Sequence, residues 1–231
     1  MWWHDSGEFN EVNAGFDRMA YGVTTNPVLS ARAIKSNQDI WSKPIKEALK
    51  IGEAGERAEA LMKIVVTNAA EKFLPIYEKT KGEAGYVCAQ VNPAKAGERD
   101  EMLAMARRFN KWAPNIAVKL PVTAAGLDTL ETCISEGITV TATVSFTVPQ
   151  VVQIAESHRK GIEAAKKKGI EPGHCFSVIM IGRLDDYLTE VAHDNKAQVK
   201  DDDLTKAGIA VTKRAYKIKK KKGYEAILLV A

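Results

Sequence analysis

Short apolar runs alternate with longer amphipathic stretches along the chain. The apolar runs cover Trp2 to Asp5, Tyr21 to Thr24, Gly85 to Val91, Ile116 to Pro121, Ile138 to Phe146, Cys175 to Ile181 and Ala226 to Ala231, and they read as strands. Between them lie segments of helical periodicity: Glu8 to Met19, Asn37 to Lys79 with Gly52 as a candidate break, Arg99 to Trp112, Gly126 to Glu136, Pro149 to Lys168 and Asp202 to Lys222. No hairpin signal joins any two runs, so the alternation predicts an α/β fold of parallel strands with crossover helices. Seven such strands fit a TIM (β/α) barrel better than a doubly wound sheet. No Gly-x-Gly-x-x-Gly turn follows a strand and no phosphate-loop pattern occurs, which argues against dinucleotide and nucleotide chemistry.

A chain of 231 residues can bury one large core, so a single barrel domain spanning 1–231 is the expectation. Met1 begins inside the first apolar run, and the sequence stops in Ile227-Leu-Leu-Val-Ala231, a buried-type strand. A closed barrel needs one strand more. The expectation is therefore an incomplete barrel of about seven of eight strands, cut at both ends, with the last strand edge exposed.

Charge and cysteine content narrow the class. The net charge of +4 is dispersed and does not call for nucleic acid. The densest basic run, Lys217 to Lys222 apart from Ile218, closes a helical segment, where lysines complement the helix dipole. Cys88, Cys133 and Cys175 are odd in number, widely spaced and set among apolar residues, as expected of reduced core thiols. No run is long enough to span a membrane and no signal peptide opens the chain, so a cytoplasmic protein is expected.

One strand carries an anomalous charge. In Ile116-Ala-Val-Lys-Leu-Pro121, Lys119 points away from both Val118 and Leu120. If the strand is internal, this lysine faces whatever the strand encloses, and desolvation favours its free amine, the form that attacks a carbonyl. If the strand is an edge, the lysine reaches solvent. Other polar positions also allow two readings. Asp5 ends the first run, yet Asp5-Ser-Gly-Glu8 has the spacing of a capping box. Thr24 and Asn26, in Gly22-Val-Thr-Thr-Asn-Pro27, suit a strand-to-helix turn satisfied by side chains. Thr143 is expected to share a strand face with Thr141 and Ser145, either as a row of hydroxyls awaiting a polar ligand or as a β-branched face bonded to backbone. His4, Asp5, His158, His174 and His193 show no metal-ligand spacing, so no metal is expected.

Taken together, Gly22-Val-Thr-Thr-Asn-Pro27 after an aspartate-ended strand, Val118-Lys-Leu-Pro-Val-Thr-Ala-Ala-Gly126, Gly137-Ile-Thr-Val-Thr-Ala-Thr143-Val-Ser-Phe146 and Ile181-Gly-Arg183 resemble the transaldolase family, including its fructose-6-phosphate aldolase-like subgroup. The segment from Asn37 to Lys79 is longer than in the small aldolases of that family. The resemblance implies Lys119 as the Schiff-base lysine, Asp5 as general acid and base, and Gln90 and Thr143 as the residues that place water. It further implies Thr24, Asn26 and Arg183 as substrate-binding residues, a sugar or sugar-phosphate partner, no cofactor, and neither nucleic acid nor membrane as partner. Self-association stays open.

Gln90 stands where transaldolases of the usual kind have glutamate and the aldolase subgroup has glutamine, and glutamine can orient water but not take its proton. Met180 stands where the subgroup has tyrosine, and it cannot donate a proton. The serine that the resemblance places five residues before Arg183 is Val178. These departures leave transfer, simple cleavage and a catalytically inactive sugar-phosphate-binding paralogue as the alternatives. A deoxyribose-phosphate aldolase-like barrel would also use a lysine but would not carry the Val23-Thr-Thr-Asn-Pro27 turn.

Overall fold

The computed structural model describes residues 2–231; Met1, counted in the expected domain, lies outside them. The elements in chain order are β1 (Trp3–Asp5), α1 (Phe9–Asp17), β2 (Gly22–Thr24), α2 (Pro27–Ser36), α3 (Ser42–Ala48), α4 (Ala54–Lys79), β3 (Tyr86–Gln90), α5 (Arg99–Phe109), β4 (Ile116–Pro121), α6 (Ala124–Ser135), β5 (Val140–Ser145), α7 (Val148–Lys167), β6 (Cys175–Ile179), α8 (Ile181–Asp194), α9 (Asp201–Leu204), α10 (Ala207–Lys222) and β7 (Ile227–Val230). The sheet order is β1-β2-β3-β4-β5-β6-β7, and the β1–β2, β2–β3, β5–β6 and β6–β7 pairs are parallel. Spatial order that repeats sequence order, with helices between the strands, is the connectivity of a (β/α) barrel, here over seven strands.

The chain divides into two compact units. The first, residues 1–91 and 105–118, packs the apolar face of α4 around Phe73, Val65, Val66 and Ala70, all at most 1% exposed. Gly52 does mark a break: α3 stops at Ala48, and Glu53 caps α4 by accepting a hydrogen bond from the Glu56 amide. Buried Asn115 ties three elements of this unit together. Its Nδ2 donates to the carbonyls of Ala70 and Gly85 at 2.8 and 2.9 Å. Gly85 has φ +84, and a Cβ there would lie 2.4 Å from the Tyr77 amide nitrogen, so no other residue fits.

The second unit, residues 92–104 and 119–231, centres part of its core on Val151, Ile179 and Ala215, with Val148, Ile181, Val211 and Leu228 packed against them. Thr147 and Gln150 form a reciprocal capping box at the start of α7. Thr123 caps α6 by accepting from the Gly126 amide, while its hydroxyl donates to the Ala96 carbonyl at 2.6 Å.

Two helices, α2 and α8, lie where the hydrophobic pattern predicts none, and the last apolar strand before α8 ends at Ile179 rather than Ile181. Asn26 followed by Pro27 is a helix-start signal that explains α2. The run Ile179-Met-Ile181 hides α8, because continuous apolar residues give strand and helix the same signature. The segment expected as one helix from Asp202 to Lys222 is instead the short α9 and the longer α10.

Candidate active site

In the first unit, the register pairs Asp5 with Thr24 and Trp3 with Gly22, and Gly22 in turn with Tyr86. Alternation along β3 puts Cys88 and Gln90 on the same side as Tyr86. Asp5, Thr24 and Gln90 therefore share one face, and each is the last residue of its strand. The C-terminal ends of the strands are where (β/α) barrels hold their functional residues. Asp5 is exposed, and Thr24 and Gln90 are half-buried. The capping-box reading of Asp5 is overturned: Glu8 caps α1 and accepts from the Glu11 amide at 2.9 Å, and Ser6 accepts from the Glu8 amide. Asn26 does act as a cap, its Oδ1 accepting from the Leu29 amide at 2.9 Å. The sequence pattern gave no role to Thr25, which is fully buried and donates its hydroxyl to the Cys88 carbonyl at 3.0 Å.

β4, whose residues from Lys119 onward belong to the second unit, lies inside the sheet order between β3 and β5, so the edge-strand reading of Lys119 does not hold. Lys119 is half-buried, whereas Leu120 on the opposite face is 1% exposed. The Val122 amide donates to the Thr143 carbonyl at 2.9 Å. In a parallel ladder that bond sets Pro121 beside Thr143, and two residues earlier Lys119 beside Thr141. Lys119, Thr141 and Thr143 thus face one way, and both threonines are buried.

Ser145 does not continue that row. The register with β6 shifts by one residue between Ala142 and Ser145, and Val144 adopts φ 64. This is a β-bulge, and one extra residue turns every later side chain to the other face. Ser145 consequently lies on the side of Ala142, Ser177 and Ile179, where its hydroxyl donates to the Val178 carbonyl at 2.6 Å. A β-branched residue is the least expected occupant of a left-handed conformation, so the sequence carries no signal for the bulge.

The same register settles which side of β6 meets the threonines. Phe176 pairs with Thr141, so Phe176 and Val178 share the threonine face, while Ser177 points the opposite way. The serine beside Val178 cannot therefore stand in for the one that the resemblance places there. Arg183 is exposed in the first turn of α8. The neighbouring Asp185 accepts from the Gly208 amide at 2.7 Å, and no ion pair joins either Asp185 or Asp186 to Arg183 among the described residues.

His158 and the cysteines lie in the core. Burial holds the His158 imidazole below its usual range, with the Gly173 carbonyl 3.4 Å from Nε2, and pushes the Cys175 thiol up to about 12. A thiol so shifted is an inert packing group. All three cysteines are free and buried. Among the described residues no group of three His, Cys, Asp or Glu side chains is placed to hold a metal ion, and no helix is long and apolar enough to cross a membrane.

Comparison with known proteins supplies the ancestry of this arrangement. The family model described as transaldolase/fructose-6-phosphate aldolase matches residues 2–231. The chain belongs to this family. Among the relatives that it resembles, the transaldolase of Trichodesmium erythraeum is 30% identical over 213 residues, covering 87% of this chain and 56% of that protein. The transaldolase of Acidothermus cellulolyticus is 32% identical over 165 residues, covering 70% of this chain and 43% of that protein. That of Kocuria rhizophila is 27% identical, covering 85% and 55%. The chain spans about half the length of the transaldolases it matches.

Proposed function

We propose that this member of the transaldolase/fructose-6-phosphate aldolase family is a cytoplasmic enzyme that forms a Schiff base with a ketose phosphate and transfers the three-carbon dihydroxyacetone unit to an aldehyde acceptor. The observation that carries the reading is Lys119, a half-buried lysine in an interior strand, facing the side that also carries buried Thr141 and Thr143. Its amine attacks the ketone carbonyl, and loss of water leaves an iminium. The iminium accepts the electron pair of the breaking C–C bond, which releases an aldehyde and leaves an enamine on the lysine.

Asp5 takes the hydroxyl proton whose departure drives that cleavage and returns a proton in the reverse direction. Gln90 and Thr143 position water, Thr24 and Asn26 hold substrate hydroxyls, and Arg183 binds the terminal phosphate through its planar guanidinium. Lysine and carboxylate chemistry of this kind calls for neither a metal nor an organic cofactor.

A second reading, simple aldol cleavage, rests on Gln90. An amide at that position cannot deprotonate water, and glutamine is what the aldolase subgroup carries there. Borohydride reduction in the presence of dihydroxyacetone or a ketose phosphate tests the shared step. Mass spectrometry should place the trapped adduct on Lys119 and lose it in Lys119→Met. Labelling confined to surface lysines would overturn the Schiff-base assignment and favour an inactive sugar-phosphate-binding paralogue.

A further inference from the structure

Ser145 has no part in the reaction proposed above, yet it is held from two directions next to Thr143. Its carbonyl accepts from the Met180 amide at 2.9 Å, and its hydroxyl donates to the Val178 carbonyl at 2.6 Å. The residue is fully buried. Both bonds run to the end of β6, while the bond from the Val122 amide to the Thr143 carbonyl ties the other side of the same turn to the end of β4. All of these groups belong to the second unit.

Between the two attachments sits Val144 at φ 64. Because Ala142 pairs with Ser177 and Ser145 with Ile179, Thr143 and Val144 together oppose Val178. In an unbroken ladder Thr143 alone would oppose Val178, and Ser145 would point to the same side as Thr143 and Lys119. The bulge takes that serine off the threonine face and leaves Thr143 as the last hydroxyl of β5 on it.

A valine does not enter the left-handed region unaided. Such a conformation persists only where the surrounding structure over-determines it. Neither glycine nor asparagine, the residues that reach positive φ at little cost, stands at the bulge. Its geometry is therefore fixed by the bonds on either side. The Ser145 hydroxyl reaches the Val178 carbonyl from the side to which the bulge turns it, so bond and bulge support one another.

We propose that Ser145 is a positioning residue for Thr143: its hydroxyl clamps the bulge at Val144 against β6 and so fixes the direction of the Thr143 side chain on the Lys119 face. The inference rests on the reading of Thr143 as a residue that places water. Water leaves as the carbinolamine on the lysine becomes an iminium, and it returns when the adduct is hydrolysed. A misdirected Thr143 slows both steps, while Lys119, carried by β4, keeps its place.

Hydrogen exchange and kinetics on the full chain test the clamp separately from its consequence. In Ser145→Ala the amides of Val122 and Met180 should exchange about tenfold or more faster than in the parent, since the bonds beside the bulge loosen. Turnover of a ketose phosphate, and the rate at which borohydride traps the Lys119 adduct, should both fall about ten- to a hundredfold, the effect of a displacement of about 1 Å in a reacting geometry. KM should stay within about threefold of the parent, because the interaction lost acts in the chemical steps and not in substrate binding. Ser145→Cys keeps a side chain of similar size with a weaker donor, and its rates should fall between the two. The double variant V144G/S145A should recover most of the lost rate, because glycine holds φ 64 without a clamp; a serine that merely filled the core would give no such rescue. Every variant is assayed well below its melting temperature, so stability and turnover are read apart. A parent protein that gives no Lys119 adduct would overturn the Schiff-base reading, and the water-placing role of Thr143 with it. Parent-like exchange or parent-like turnover in Ser145→Ala, beside a labelled parent, would overturn the clamp alone.

Discussion

At the end of β2, Thr25 and Asn26 use their side chains to satisfy the chain itself, whereas at the end of β6 no side chain caps the helix that follows. Thr25 donates to the Cys88 carbonyl and Asn26 accepts from the Leu29 amide. In the β6–α8 turn, the Ile181 and Gly182 amides instead donate to the carbonyl of Ala231, at 2.6 and 3.3 Å, and Arg183 remains exposed. Both turns lead from a parallel strand into a helix, so topology does not account for the difference. Side-chain atoms already used locally stabilise the fold, and those without a local use, such as the Asn26 Nδ2 beside its capping Oδ1, are the ones left for a ligand.

Asp5 offers the largest test of that distinction. It is exposed and has lost its candidate structural job to Glu8. Asp5→Asn should therefore leave the melting temperature unchanged and keep the borohydride-trapped adduct, while slowing C–C cleavage by about 100-fold or more, the typical contribution of a positioned acid or base. Unchanged turnover would show that a strand-end carboxylate without a local partner is not thereby functional.

A paired measurement sharpens the contrast between the two turns. Arg183→Gln should raise KM for a phosphorylated ketose by about ten- to a hundredfold, the value of a charge-assisted hydrogen bond, with much less effect on an unphosphorylated one. Its stability should stay within about 0.5 kcal/mol of the parent, as for most exposed substitutions. Asn26→Ala should instead cost about 1 kcal/mol in urea denaturation through loss of the cap. If the stability loss appears in Arg183→Gln and not in Asn26→Ala, the division drawn between the turns is wrong.

The smallest expected effect lies at the bulge. Val144 is 47% exposed and holds φ 64, a conformation that asparagine tolerates better than a β-branched residue. Val144→Asn should raise stability by about 0.5 to 1 kcal/mol, a fraction of the roughly 1–3 kcal/mol that such a strained residue costs, because asparagine relieves only part of it. A loss of stability would mean that the Val144 side chain matters more for packing than its half-exposed position suggests.

The seven strands and their alternation with helices could be read from the sequence because apolar runs in an α/β fold report burial on both faces. Lys119 stood out for the same reason, a charge inside such a run. What could not be read was the use of each polar group. Nothing in Asp5-Ser-Gly-Glu8 distinguishes a cap at Asp5 from one at Glu8, because both offer a carboxylate before a helical stretch. The face of Ser145 departs from simple alternation, since the count of two along a strand holds only while the ladder is regular. Ser177 and Val178 are adjacent in sequence, and only the pairing with β5 tells which of them faces the threonines.

The sequence by itself therefore determined the class of fold and the succession of strands and helices along the chain, both of which follow from local periodicity. Tertiary structure decided that β4 is an interior strand, that Glu8 rather than Asp5 caps α1, and that a bulge at Val144 turns Ser145 away from Thr143. The physical reason is that periodicity is a property of neighbours along the chain. Strand position, hydrogen-bond partnership and register are properties of pairs far apart in sequence, and no local pattern encodes them.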